Sequence, residues 1–142
     1  MTDPDCPFCA IVAGRLPSSQ VYSDDEVIAF LDIQPLTTGH LLVVPRVHAA
    51  RLGALPEQVG ARLFTTAQRL AAALRASGLP CEGVNLFLAD GAVAGQEVFH
   101  VHLHVLPRNT GDGFAISARR QQPDRSELDA AASLIRGGLE LQ

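Results

Sequence analysis

Apolar and polar residues along this chain change period several times, and each change marks an element. The segment "PFCAIVAG" (7–14) is long enough for a turn or two of helix stopping at Gly14. "VYSDDEVIAFLDI" (21–33) predicts two short strands about a "DDE" turn, the second holding Val27 to Asp32. "GHLLVVP" (39–45) is an apolar, partly β-branched run between Gly39 and Pro45, the pattern of a buried strand. From Pro56 to about Arg75 the period becomes helical: Val59, Leu63, Leu70 and Leu74 recur at helical steps, Pro56 suits a first turn and Gly78 a stop. "GVNLFLA" (83–89) and "EVFHVHLHVLP" (97–107) read as further strands joined by "DGAVAG", and Asp124 to about Ile135 as a second main helix followed by "GG". No repeat or linker interrupts the series. The expected class is α+β, a mainly antiparallel sheet of about five strands carrying two main helices.

Composition narrows the function classes. A chain of 142 residues with 47% hydrophobic and 18% charged residues predicts one folded domain. Its formal charge of −4 and lack of a basic run argue against nucleic-acid binding. "MTDPDCPFC" has neither the charged nor the apolar region of a signal peptide, and no run approaches the ~20 apolar residues of a membrane span. Three cysteines, an odd number, fit a reducing cytoplasm better than a disulfide framework.

The candidate chemistry lies in "GQEVFHVHLHVLPR" (95–108), where His100, His102 and His104 occupy alternate positions. On a strand they share one face, while Phe99, Val101, Leu103 and Val105 form an apolar face whose burial aims the imidazoles together. Such a row can hold a metal, present a nucleophile, or simply be polar; spacing does not choose. "CPFC" adds a C-x₂-C pair. A thioredoxin-type redox site needs a preceding strand, which "MTDPD" does not supply. A closed zinc site needs two further ligands, and these fall to histidines because Cys81 stands apart.

The pattern "HVHLHVL", with "CPFC", "VIAFLDI", "TTGHLLVVPRVH" and "AGQEVFHVHLHVLPR" in order, resembles the histidine triad (HIT) nucleotide-binding superfamily over roughly residues 5–113. That resemblance implies a single HIT-like domain over 1–142, with a helical tail from about 114. It implies a homodimer whose sheet continues across subunits. It also implies a hydrolase or transferase that moves the nucleotidyl group of a purine nucleotide, with adenosine phosphoramidates and dinucleoside polyphosphates as the substrate classes. His102 would be the nucleophile, with His104 and Gln96 beside the phosphate. Phe8, Ile11, Phe30, Leu31 and Ile33 would form the base slot, and Asp32 would hold the ribose diol. Zinc-containing relatives imply a structural zinc on Cys6, Cys9, His48 and His100. His40 matches a histidine near the triad and equally suits a strand cap.

Two positions depart from the pattern. Glu97, which the resemblance counts with Gln96, His102 and His104 among the nucleotide-binding positions, stands where Ser or Thr commonly donates to phosphate, and Ala89 where many relatives carry Asn or Gln; Asn85 is four residues from that place. No tryptophan marks the tail, which leaves the leaving group open. Two rival readings follow: a nucleotide-binding regulatory protein with little turnover, and a metalloenzyme whose triad holds a catalytic ion.

Overall fold

Five strands make one antiparallel sheet in the computed structural model, which describes residues 2–142. In chain order the elements are α1 (Pro7–Val12), β1 (Gln20–Ser23), β2 (Val27–Leu31), β3 (Leu41–Pro45), α2 (Glu57–Ala76), β4 (Gly83–Phe87), β5 (Leu103–Arg108) and α3 (Arg125–Leu139). The spatial order is β1-β2-β3-β5-β4, so the last strand inserts between β3 and β4. The α+β expectation holds, and every pairing is antiparallel.

Local chemistry explains the turns. Asp24 Oδ1 accepts the Glu26 and Val27 N–H groups at 2.8 and 2.9 Å, which closes the turn between β1 and β2. Helix α2 ends at Ser77, and Gly78 follows at φ 85°, a conformation that side-chain-bearing residues rarely adopt. Helix α1 starts at Cys6, whose Sγ accepts the Cys9 N–H, with Pro7 in the first turn.

Alternation along the strands gives the sheet two different faces. Val27, Ala29, Leu41, Val43, Leu103 and Val105 face α2 and join its Val59, Leu63, Ala67, Leu70 and Leu74 in the larger core. Ile28, Phe30, Leu42 and Val44 point the other way and pack against Cys6, Phe8 and Cys9. Helix α1 has only six residues. It covers part of that second face and leaves the rest open.

Several expected boundaries shift. The strand expected over 97–107 begins only at Leu103. Residues before it bend around the loop after β3, where the Val101 N–H donates to the Ala49 carbonyl at 2.8 Å. Val101 still reaches the core, but Phe99 lies outside it, 44% exposed, with the Arg51 guanidinium over its ring. The wholly buried apolar row from Phe99 is therefore corrected to Val101, Leu103 and Val105. β2 stops at Leu31, and β4 ends at Phe87 instead of Ala89. Helix α3 is capped by Asp124 and Glu127 and runs through Gly137 and Gly138 to Leu139. None of its residues is buried.

Candidate functional site

The open part of the second face is a pocket of about 720 Å³. Sheet register assembles it from distant segments. Asp32 follows β2 and donates its N–H to the His40 carbonyl just before β3, at 3.0 Å. His104 on β5 pairs with Leu42 on one side and Phe87 on the other. Of the residues expected to bind nucleotide, Phe8, Ile11, Phe30, Leu31, Asp32, Ile33, Glu97, His102 and His104 all line the pocket. Phe8 is both core and wall: it packs edge-on against Phe30 and against His102, with ring centroids 5.6 and 5.1 Å away.

Hydrogen-bond partners fix the tautomer of each triad ring. The His100 Nε2–H donates to the Pro45 carbonyl at 2.8 Å, leaving the Nδ1 lone pair towards the cysteines. The His102 Nδ1–H donates to the His100 carbonyl at 2.7 Å, leaving Nε2 with its lone pair. The Leu36 N–H donates to His40 Nδ1 at 3.1 Å, so His40 carries its proton on Nε2. That proton is donated to His104 Nδ1 at 2.8 Å, so His104 keeps an N–H on Nε2. One ring offers a lone pair and its neighbour offers a donor, 4.9 Å apart by centroid.

Burial maintains these states. His102 and His40 are held below the ordinary histidine value chiefly by desolvation. His104 is pushed down to about 4 by burial, with the nearby His102 and His40 acting in the same direction and Asp32 opposing them. Neutral imidazoles are therefore the resting forms at neutral pH. Asp32 Oδ1 is occupied by the Gln34 N–H at 2.8 Å, while Oδ2 lies 3.7 Å from His40 Nε2. The turn role and the site role of Asp32 are thus divided between its two oxygens.

Gln96 is placed differently from the expectation. It is 4% exposed and does not line the pocket. Its Oε1 accepts the Gly91 N–H at 2.8 Å, and its Nε2 donates to the Ala50 and Val98 carbonyls at 2.8 and 3.1 Å. The amide braces the loop leading into the triad, so its influence on the pocket passes through backbone. Glu97 next to it is exposed and does line the pocket. Asn85 accepts from Arg108 at 2.7 Å and stands outside the pocket lining.

A second constellation lies beside the pocket. Cys6, Cys9, His48 and His100 bring four ligand atoms within 4.8 Å of one another. His100 Nδ1 is 3.4 Å from Cys6 Sγ and 3.6 Å from Cys9 Sγ, and the two Nδ1 atoms of His48 and His100 are 3.2 Å apart. A tetrahedral zinc at ordinary bond lengths separates sulfur from nitrogen ligands by roughly 3.6 Å, and two nitrogens by roughly 3.3 Å. The donor set fits such an ion. The surroundings fit too: the Asp3 N–H points to Cys9 Sγ at 3.4 Å, and the Asp3 carboxylate lies 3.9 Å from His48 Nε2. Burial pushes the Cys6 thiol up and His100 down, so these two favour their neutral forms unless a cation compensates the thiolate.

Four features of the site come from structure. His40, which equally suited a cap, is bonded into the triad. Phe87 stands 5.4 Å from His104 by centroid, Leu42 lies beneath, and Val98 joins the rim. The one sequence signal for Phe87 is its place on a strand; its partner strand is set by the sheet order.

Comparison with known proteins agrees with this geometry. The HIT domain model matches residues 13–111. An uncharacterized HIT-like protein from Borreliella burgdorferi is 47% identical over 111 residues, spanning 78% of this chain and 80% of the relative. An adenylylsulfatase from Arabidopsis thaliana is 37% identical over 109 residues, 76% of this chain and 54% of that protein. The solved structure of a zinc-bound histidine triad family protein from Mycobacterium smegmatis superposes with a TM-score of 0.76 at 41% identity, covering 94% of this chain and 97% of that one. With its triad on β5 and the lead into it, its pocket on the uncovered sheet face and its domain match, the chain belongs to the HIT family.

Proposed function

We propose that the protein binds a purine nucleotide and hydrolyses or transfers its nucleotidyl group through a covalent intermediate on His102. One observation carries this reading: the His102 Nδ1–H is tied to the His100 carbonyl, which leaves an unprotonated Nε2 in the wall of a nucleotide-sized pocket. The base lies against Phe8, Ile11, Phe30, Leu31 and Ile33, and Asp32 Oδ2 accepts from the ribose hydroxyls. The His104 Nε2–H donates to a phosphoryl oxygen, and Gln96 positions the loop beside it. Nε2 attacks phosphorus, forming an N–P bond as the bond to the leaving group breaks. Water then attacks phosphorus, and the N–P electron pair returns to Nε2. The adenylylsulfatase activity named for one relative supports adenylyl chemistry in the family.

Cys6, Cys9, His48 and His100 hold a structural zinc in this reading, and the zinc-bound relative supports it. The ion neutralises two thiolates and ties α1 to the loops bearing His48 and His100. Thiolate ligands favour a reducing, cytoplasmic setting. The protein acts as a homodimer: Leu134, Ile135 and Leu139 of α3 are exposed, and an isolated helix of fifteen residues is marginal in water without a partner surface. Edge strand β4 also exposes Leu86 and Phe87.

Intact mass after rapid mixing with an adenosine 5′-phosphoramidate tests the chemistry. A nucleotidyl adduct is expected on the native protein and none on His102→Ala, which keeps its fold by circular dichroism. Turnover retained by His102→Ala rejects the covalent route. Nucleotide binding with no turnover in the native protein favours the regulatory alternative.

A further inference from the structure

The charged lining of the pocket has one sign. Among the described residues its charged side chains are Asp32 and Glu97, and no arginine contributes. The chain contains no lysine at all. Arg46 holds the Asp24 carbonyl and Ser23, Arg62 holds Asp24, Arg108 holds Asn85 and Asp112, and Arg51 lies over Phe99. Arg15, next to Leu16, borders a separate hollow with Pro4, Asp5 and Cys6 at the α1 end and is not part of the pocket lining. The side-chain donors that reach the pocket are neutral, from Ser18, Gln34 and the histidines. Such a site satisfies one singly charged phosphoryl group with hydrogen bonds. It offers nothing cationic to a leaving group that departs with several negative charges.

The two carboxylates come from opposite ends of the chemistry. Asp32 belongs with the apolar slot of α1 and β2, where the nucleoside is proposed to sit. Glu97 belongs to the loop entering the triad, alongside Gly95 and Val98. A nucleoside in the slot with its phosphorus at His102 directs the leaving group towards that loop.

We infer that Glu97 is a specificity residue for the leaving group, selecting nucleotidyl amines over nucleotidyl polyphosphates and nucleotidyl sulfate. This rests on the nucleotidyl-transfer reading above. A phosphoramidate becomes reactive when its bridging nitrogen takes a proton from solvent hydronium, leaving water and giving an R–NH₂⁺–P linkage. The Glu97 carboxylate accepts a hydrogen bond from that cationic nitrogen. When His102 Nε2 attacks, the P–N bond breaks, its electron pair goes to nitrogen, and a neutral amine R–NH₂ leaves without needing a proton from the enzyme. Water then releases the nucleoside monophosphate, and the proton lost from that water goes to the free amine. For a polyphosphate or sulfate the same carboxylate faces like charge.

The test compares native protein with Glu97→Gln and Glu97→Ser on three adenylyl substrates: a lysine phosphoramidate, diadenosine tetraphosphate and adenylyl sulfate. The native protein is expected to prefer the phosphoramidate by about 100-fold in kcat/KM, and each variant to shrink that preference roughly tenfold or more, with the gain on the anionic substrates. An unchanged ratio in both variants overturns the inference. Binding of AMP and ATP by calorimetry provides a readout without turnover. Glu97→Gln is expected to tighten ATP about tenfold while AMP moves less than about twofold; equal changes for both overturn it. If the native protein cleaves none of the three but the ATP-to-AMP ratio shifts, the transfer reading fails and Glu97 selectivity stands.

Discussion

One sheet carries two faces, and the difference between their covers separates stability from chemistry. The face under α2 meets a helix of 20 residues and closes into a core. The opposite face meets a helix of six residues, and the uncovered remainder becomes the pocket. Residues of the same strand serve both: Leu103 and Val105 are sealed against α2, while His104 between them faces the nucleotide side. The alternation of a single strand thus joins the closed core to a ring that faces the pocket. His104 is thereby aimed by the packing behind it.

The sharpest break of this comparison truncates the closed face. Leu63→Ala should cost about 2–5 kcal/mol of stability in urea unfolding, while the folded fraction keeps its affinity for AMP. On the open face the balance should reverse. Phe8→Ala should lose about 2 kcal/mol of stability, because its ring borders a pocket, yet weaken AMP binding roughly tenfold in calorimetry. If Leu63→Ala damaged affinity as much as Phe8→Ala does, the division between the faces would be wrong.

Smaller changes test the proton positions. His40→Ala removes the donor that fixes the proton of His104 on Nε2, and kcat should fall roughly 10- to 100-fold with KM for the substrate little changed. The melting temperature of that variant checks that the loss is not unfolding. The pH dependence follows from the same buried rings. His104 has its folded value pushed down to about 4, below its ordinary value of about 6.5, so the unfolded chain binds more protons between these limits. Its contribution to stability is therefore complete above about pH 6.5 and is lost progressively as pH falls towards about 4. Urea midpoints at pH 8, 6.5 and 5 should stay level across the first pair and drop across the second, and His104→Asn should flatten the drop.

Much of the site could be read along the chain because strand alternation is local. The neighbourhood of His102 and His104, the slot residues of β2 and the spacing of Cys6 and Cys9 all follow from which face a side chain occupies. Errors arose where backbone left regular pairing. Alternation carried back to Phe99 failed because residues before Leu103 bend around the Ala49 loop, where no sheet partner enforces the period. Gln96 takes the position of a phosphate contact, while its amide satisfies two backbone groups of its own loop and the Ala50 carbonyl of the loop after β3.

The amino-acid order by itself determined the elements, the two-sided character of the strands and the residue types available for metal and phosphorus. Those depend on periodicity and side-chain chemistry, which are properties of short segments. Only the tertiary structure decided that β5 inserts between β3 and β4, which brings His40 to His104 and sets Phe87 opposite it. It alone decided the tautomers, because the protons of His100 and His104 are positioned by the distant Pro45 carbonyl and His40 ring, and those of His102 and His40 by local backbone bends that periodicity does not reveal. And it alone left Glu97 in a pocket without a cation, since the sign of a site depends on where every arginine in the chain is held.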